Sequence, residues 1–284
     1  MQKYMHNYLY HFIAVTNYVK ITLLAMTIKG DIRKMENKEY FIDKDGFKLH
    51  AKLDFPASAE GKMPIVILVH GLTSWMDERH IVGFKDAIND AGCACLRVDM
   101  YGHGQSDGKF ENHNVMEWVC ELLYLIDYAR DLDFVTDVFL AGHSQGALAT
   151  IITAAYKREQ LKGILPLSPA TVIKYMCEAG QFFDKKFDFD SLPDRFDFWE
   201  RHVTSNYARV ARALPVDESI ALYNGPVLIV HGTEDELVPL EFAVRAANAY
   251  KNATLKTIDG DRHCFDYHLD QAKAAVTEFL LANK

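Results

Sequence analysis

Gly142-His143-Ser144-Gln145-Gly146 sets one hydroxyl between two glycines in the pattern Gly-x-Ser-x-Gly. A serine hydroxyl is a weak nucleophile until a base takes its proton. The surroundings give the pattern its meaning. Val138–Ala141 before it reads as a strand, and a helical pattern opens after it near Gln145. A sharp strand-to-helix turn strains the serine backbone and lifts Oγ above the sheet. Glycine is required on both sides, because a side chain there would meet the neighbouring strand or helix. The chemistry that fits is acyl transfer through a serine-bound intermediate.

Such a serine needs a base and an acid later in the chain, in the order Ser, Asp/Glu, His. His263, in Gly260-Asp-Arg-His-Cys-Phe265, follows the last short strand and precedes the last helix. It is the predicted base, with His268 as competitor. The loop His231-Gly-Thr-Glu-Asp-Glu-Leu-Val-Pro239 follows the strand Val227–Val230. Asp235 is the predicted acid, which would hold the imidazole tautomer and stabilise the imidazolium. Glu234 and Glu236 read as solvated charges. A tetrahedral intermediate also needs two N–H donors. Gln145 offers one at a helix N-terminus, where free amides favour negative charge. Leu72, in His70-Gly-Leu-Thr73, offers the other. Gly71 would let that loop approach the substrate, and His143 is expected at the pocket with it.

The elements that must carry these residues alternate along the chain. Tyr40–Asp43 and Phe47–Leu53 flank Asp45-Gly46 and read as a hairpin. Continuous apolar runs at Pro64–Val69, Ala94–Val98, Val138–Ala141, Leu161–Leu165 and Val227–Val230 read as strands buried on both faces, with a shorter one at Leu255–Ile258. Helical patterns at about Ile81–Ala91, Val115–Arg130, Gln145–Arg158, Leu240–Tyr250 and Leu269–Leu281 separate them. The predicted fold is α/β, a mostly parallel sheet with helices on both faces. The alternation breaks at about 170–217, where Gln181-Phe-Phe-Asp-Lys-Lys-Phe-Asp-Phe-Asp190 is rich in Phe, Asp and Lys. That stretch is too long for a plain loop and reads as an inserted cap.

Composition narrows the function. Among 284 residues, 49% are hydrophobic and 25% charged, a globular balance. A net charge of −8 repels phosphate backbones and argues against nucleic acid as a partner. The five cysteines form no C-x-x-C pair and suit buried thiols in a reducing, cytoplasmic setting. Neither their spacing nor the histidine spacing implies a metal, and Asp99-Met-Tyr-Gly-His-Gly-Gln-Ser106 lacks the phosphate-binding patterns. No cofactor is expected. Residues 1–35 read as an extension outside the domain at 36–284. Tyr4–Val19 carries no formal charge, but His6, Asn7, His11, Thr16 and Asn17 dilute it. Neither a stable membrane span nor a secretory signal fits. The segment from Met35 would suit a true start.

From about Glu36 onward the chain resembles the bacterial cinnamoyl/feruloyl esterases of the α/β-hydrolase superfamily. The resemblance lies in His70-Gly-Leu-Thr73, Glu78-Arg-His-Ile-Val82, Leu96-Arg-Val-Asp-Met-Tyr-Gly-His-Gly104, Ala141-Gly-His-Ser-Gln-Gly146, Pro166-Leu-Ser-Pro169, Val230–Pro239 and Gly260–Phe265. It implies Ser144, Asp235 and His263 as a triad, with Leu72 and Gln145 as the oxyanion hole. It also implies a cap that holds an aromatic acyl group, bordered by Trp199. The expected function is hydrolysis of small hydroxycinnamate esters, with a homodimer as the assembly. A general short-chain carboxylesterase or an acylglycerol lipase is the alternative. A non-catalytic binding protein of this fold would have lost a triad member.

Overall fold

Pro64-Ile-Val-Ile-Leu-Val69 has no polar side to offer water, and it lies inside the sheet. In a computed structural model, which describes residues 35–284, the elements run β1 (Lys38–Lys44), β2 (Phe47–Asp54), β3 (Met63–Val69), α1 (Arg79–Asp90), β4 (Ala94–Val98), α2 (Val115–Arg130), β5 (Val135–His143), α3 (Gln145–Tyr156) and β6 (Gly163–Leu167). They continue through α4 (Val172–Glu178), the short strands β7 (Gln181–Phe182), β8 (Lys185–Lys186), β9 (Arg195–Phe198) and β10 (Arg201–Thr204), α5 (Asn206–Ala211) and α6 (Val216–Leu222). The chain ends with β11 (Val227–Gly232), α7 (Leu240–Ala249), β12 (Ala253–Ile258) and α8 (Leu269–Asn283). The reading of the chain before Met35 lies outside the described residues.

Eight strands form one sheet in the order β1-β2-β4-β3-β5-β6-β11-β12. β1 and β2 form the antiparallel hairpin and β2 pairs antiparallel with β4; every other pairing is parallel. Val66 and Leu68 of β3 face a core with Ile81 and Phe84 of α1 and with Val276 and Leu280 of α8. Their neighbours Ile65, Ile67 and Val69 are equally buried on the other face, as period-2 side chains require.

The strand order reverses between β3 and β5, and such a reversal opens a crevice at the carboxyl ends of the strands. Val69 pairs with Gly142, and His143 with Leu167, so three strand ends lie level there. β6 runs on through Pro166 to Leu167, beyond the predicted Leu165, because its ladder with β5 and β11 continues past the proline. Between β6 and β11 the sheet pattern is interrupted. β9 alternates exposed Arg195 and Asp197 with buried Phe196 and Phe198 and pairs with β10. α6 starts at the predicted end of this segment, runs past it and carries Val216, Ser219 and Ile220 inward. No helix among the described residues is long and apolar enough to cross a membrane.

Candidate active site

Ser144 sits between β5 and α3 with φ 56° and ψ −118°, a strained conformation for a side chain with a Cβ. The two glycines are matters of space. A Cβ on Gly142 would lie 2.4 Å from the backbone of Gly146, and one on Gly146 would lie 2.3 Å from the His70 carbonyl oxygen. The elbow therefore closes only with glycine at both positions. Ser144 N–H donates to Leu167 O (2.9 Å), and Ser144 O accepts from Leu148 and Ala170.

Three predicted residues meet here. His263 Nε2 lies 2.8 Å from Ser144 Oγ, and His263 Nδ1 lies 2.6 Å from Asp235 Oδ2. Asp235 Oδ1 accepts the amides of Leu237 (3.0 Å) and Val238 (2.9 Å). With Nδ1 facing a carboxylate, the ring carries its proton there and turns a bare Nε2 to the hydroxyl. Burial alone would raise the Asp235 pKa. Hydrogen bonds from His231 and His263 and the Val238 amide outweigh it and hold the carboxyl well below the usual range. His268, Glu234 and Glu236 are exposed and stand outside this chain.

Leu72 lines the cavity beside Ser144, and Gln145 follows Ser144 as the first residue of α3. Neither amide donates to a described residue. Gln145 opens α3, where the first-turn amides lack helical partners. The Gln145 side chain is buried and its Oε1 accepts from Tyr207 OH of α5 at 2.5 Å.

Of two predicted pocket residues, Gly71 stands outside the cavity lining and His143 is part of it. A Cβ on Gly71 would stand 3.0 Å from Ser144 Cβ, and Gly71 is buried. Gly71 serves close approach to the serine, behind the pocket wall. His143 does touch the pocket, but both its nitrogens are engaged. Nε2 donates to His263 O (2.9 Å), and Nδ1 faces His80 Nε2 at 3.2 Å. Its fully buried ring, pushed well below the ordinary histidine pKa by burial and by His80, stays neutral and props the His263 backbone.

Several supports lie inside motifs of the sequence that gave them no role of their own. Ser168 Oγ donates to His263 O (3.0 Å), beside His143. Asp261 accepts the amides of Arg262, Tyr267 and His268 and so shapes the loop carrying His263. His70 Nε2 accepts the Met100 amide (3.0 Å) while Nδ1 donates to Gly71 O (2.8 Å). Only Pro166-Leu-Ser-Pro169, a polar residue between prolines after a strand, could have pointed to Ser168.

A cavity of about 160 Å³ opens beside Ser144 and His263. Leu72, Ile173, Met176, Phe183, Trp199 and Val238 give it apolar walls. Trp199 is 64% exposed, and its ring lies 5.4 Å from Phe183 and 5.7 Å from Phe198. The arrangement offers a basic imidazole on a hydroxyl, two free amides and an apolar recess.

Residues 66–279 match the model of the alpha/beta hydrolase family. The chain belongs to this family. Among solved structures, the hydrolase is similar to Est1E from Butyrivibrio proteoclasticus with ferulic acid bound. Identity is 46% and TM-score 0.84, over 86% of this chain and 98% of that one. A second Est1E structure matches at 43% identity and TM-score 0.81, with the same coverage. These matches agree with the motif resemblance to bacterial feruloyl esterases. The curated palmitoyl-protein thioesterase ABHD10 of Homo sapiens is 23% identical over 195 residues, 66% of this chain. The match spans 62% of that protein's length.

Proposed function

We propose that this hydrolase cleaves hydroxycinnamate esters, of feruloyl or caffeoyl type, through an acyl-enzyme on Ser144. The observation that carries the chemistry is the hydrogen-bonded chain from Ser144 Oγ through His263 to Asp235. His263 Nε2 takes the hydroxyl proton as Oγ attacks the ester carbonyl. The amides of Leu72 and Gln145 receive the oxyanion, and Asp235 steadies the imidazolium. His263 then protonates the departing alcohol as the intermediate collapses. A water molecule, deprotonated by the same nitrogen, frees the acid and restores Ser144.

The acyl group follows from the relative and the recess together. Est1E holds ferulic acid. Here the apolar recess under Phe183 and Trp199 suits a compact planar acyl group better than a long aliphatic chain. In this reading residues 170–217 act as the cap over that recess. A homodimer and a reducing, cytoplasmic setting belong to the same proposal; the five cysteines are free, and light scattering measures the assembly.

The test compares kcat/KM for methyl ferulate, chlorogenate and a short-chain nitrophenyl ester. Preference for the aromatic esters is expected, and preference for the short aliphatic acyl chain overturns the substrate assignment. A fluorophosphonate probe should label the wild type and spare Ser144→Ala. Equal labelling of both overturns the nucleophile.

A further inference from the structure

The start of α1, the end of β5 and the loop that carries His263 bring His80, His143 and Cys264 together. Their ligand atoms, one from each side chain, lie within 4.8 Å of one another. Because a carbonyl can only accept, the His143 Nε2 contact with His263 O at 2.9 Å puts the proton on Nε2. His143 Nδ1 is therefore a bare lone pair, aimed at His80 Nε2 3.2 Å away. Two imidazole nitrogens on one tetrahedral zinc ion, each about 2.0–2.1 Å from it, stand roughly 3.3 Å apart. His80 Nε2–H now donates to that lone pair, and the hydrogen-bonded spacing is close to that of two ligands sharing a cation. Cys264 is a free thiol, and it lines the active-site cavity together with His143 and Glu78, which gives a path from solvent.

We propose that His80 Nε2, His143 Nδ1 and Cys264 Sγ form an inhibitory site for a borderline-soft divalent cation, Zn²⁺ above all. Binding releases the thiol proton to solvent and leaves a thiolate ligand. The His80 proton moves from Nε2 to Nδ1 and stays there, with Glu78 Oε2 3.7 Å away as a nearby outer carboxylate. His143 keeps its bond to the His263 carbonyl and needs no tautomer change. Water takes the fourth position, toward the cavity.

The His143 and His263 rings are 4.8 Å apart between centroids. A cation on the far nitrogen of His143 adds positive charge beside the imidazole that must itself become positive during ester cleavage. Occupancy therefore slows the enzyme. This inhibitory half rests on the proposed catalytic role of His263; the binding half does not.

The binding test uses the full chain in the Ser144→Ala background, so that it stands whether or not the ester reading holds. Titration with Co²⁺ should give a thiolate-to-cobalt charge-transfer band at one equivalent, and Zn²⁺ should abolish that band by competition. Cys264→Ala should lose the band, and both Cys264→Ala and His80→Gln should weaken Zn²⁺ binding at least about tenfold by calorimetry. Circular dichroism melting reports that each variant is folded, and if His80→Gln is not, Cys264→Ala decides alone. Absence of a thiolate band in the parent overturns the site, as does equal Zn²⁺ affinity in parent and folded variants. In the active enzyme, Zn²⁺ should lower kcat at least about tenfold, with recovery on chelation. Tight Zn²⁺ binding without loss of kcat would overturn the inhibitory half alone.

Discussion

Around Asp235 the carboxylate is saturated: two amides hold Oδ1, and the His263 ring holds Oδ2. Around Trp199 no hydrogen bond from the described residues fixes the indole, and the rings of Phe183 and Phe198 lie beside it. Both regions border one cavity. The loops at the strand ends depend on directional contacts that fail when an atom moves by a few tenths of an ångström. The segment between β6 and β11 depends on aromatic packing, which tolerates rearrangement at modest cost. In the proposed mechanism the first region carries the reaction chemistry and the second the choice of substrate. Substitutions in the loops should damage every ester alike, and substitutions in the segment should damage some esters only.

The hardest blow to the loops is Ser144→Ala. It should lower kcat by about 10⁴-fold or more on every ester, read by steady-state assay with folding checked by circular dichroism. Asp235→Asn should follow at about 10³- to 10⁴-fold in kcat, because the amide favours the wrong imidazole tautomer. Trp199→Ala tests the other side. KM for methyl ferulate should rise about tenfold while a nitrophenyl acetate is nearly unaffected. An equal loss on both esters would erase the division. Tyr207→Phe sits on the boundary, since its hydroxyl reaches from α5 to the Gln145 side chain. A loss of about threefold in kcat, with KM unchanged, would show that the segment also steadies the oxyanion amide.

The smallest effect concerns stability, well away from the serine. Burial pushes the Glu121 carboxyl up to about 8, against the Tyr101 amide that pulls it down. Its unfolded value is about 4.3. The folded state therefore holds an extra proton between those values, and stability falls as pH rises through that window. Glu121→Gln keeps the acceptor for Tyr101 and removes the ionisation. The Tm advantage of this variant should grow by about 2–4 °C between about pH 5 and about pH 9.

Much of this was legible along the chain where a local rule governed. Gly142 and Gly146 stand where backbone crowding admits no side chain, so the motif itself encodes the elbow. Ser144, Asp235 and His263 follow strand ends in chain order, and they meet in one hydrogen-bonded chain. Contacts between distant elements were not legible. His80 and His143 are 63 residues apart and adjoin only because α1 and β5 pack at one end of the sheet. Gly71 reads as a pocket residue until the sheet places its backbone against Ser144. The β6 boundary slipped for a different reason. Pro166 suggests a strand end by its missing donor, yet β6 runs through it to Leu167.

The positive φ of Ser144 carries one more implication. Glycine would rest in that backbone conformation without strain, a difference of order 1–3 kcal/mol. The proposed nucleophile is thus a residue the fold would be more durable without. Selection for longevity alone would drift toward a silent protein here. An engineer seeking heat tolerance should look for it in the strands and helices and leave this elbow tense.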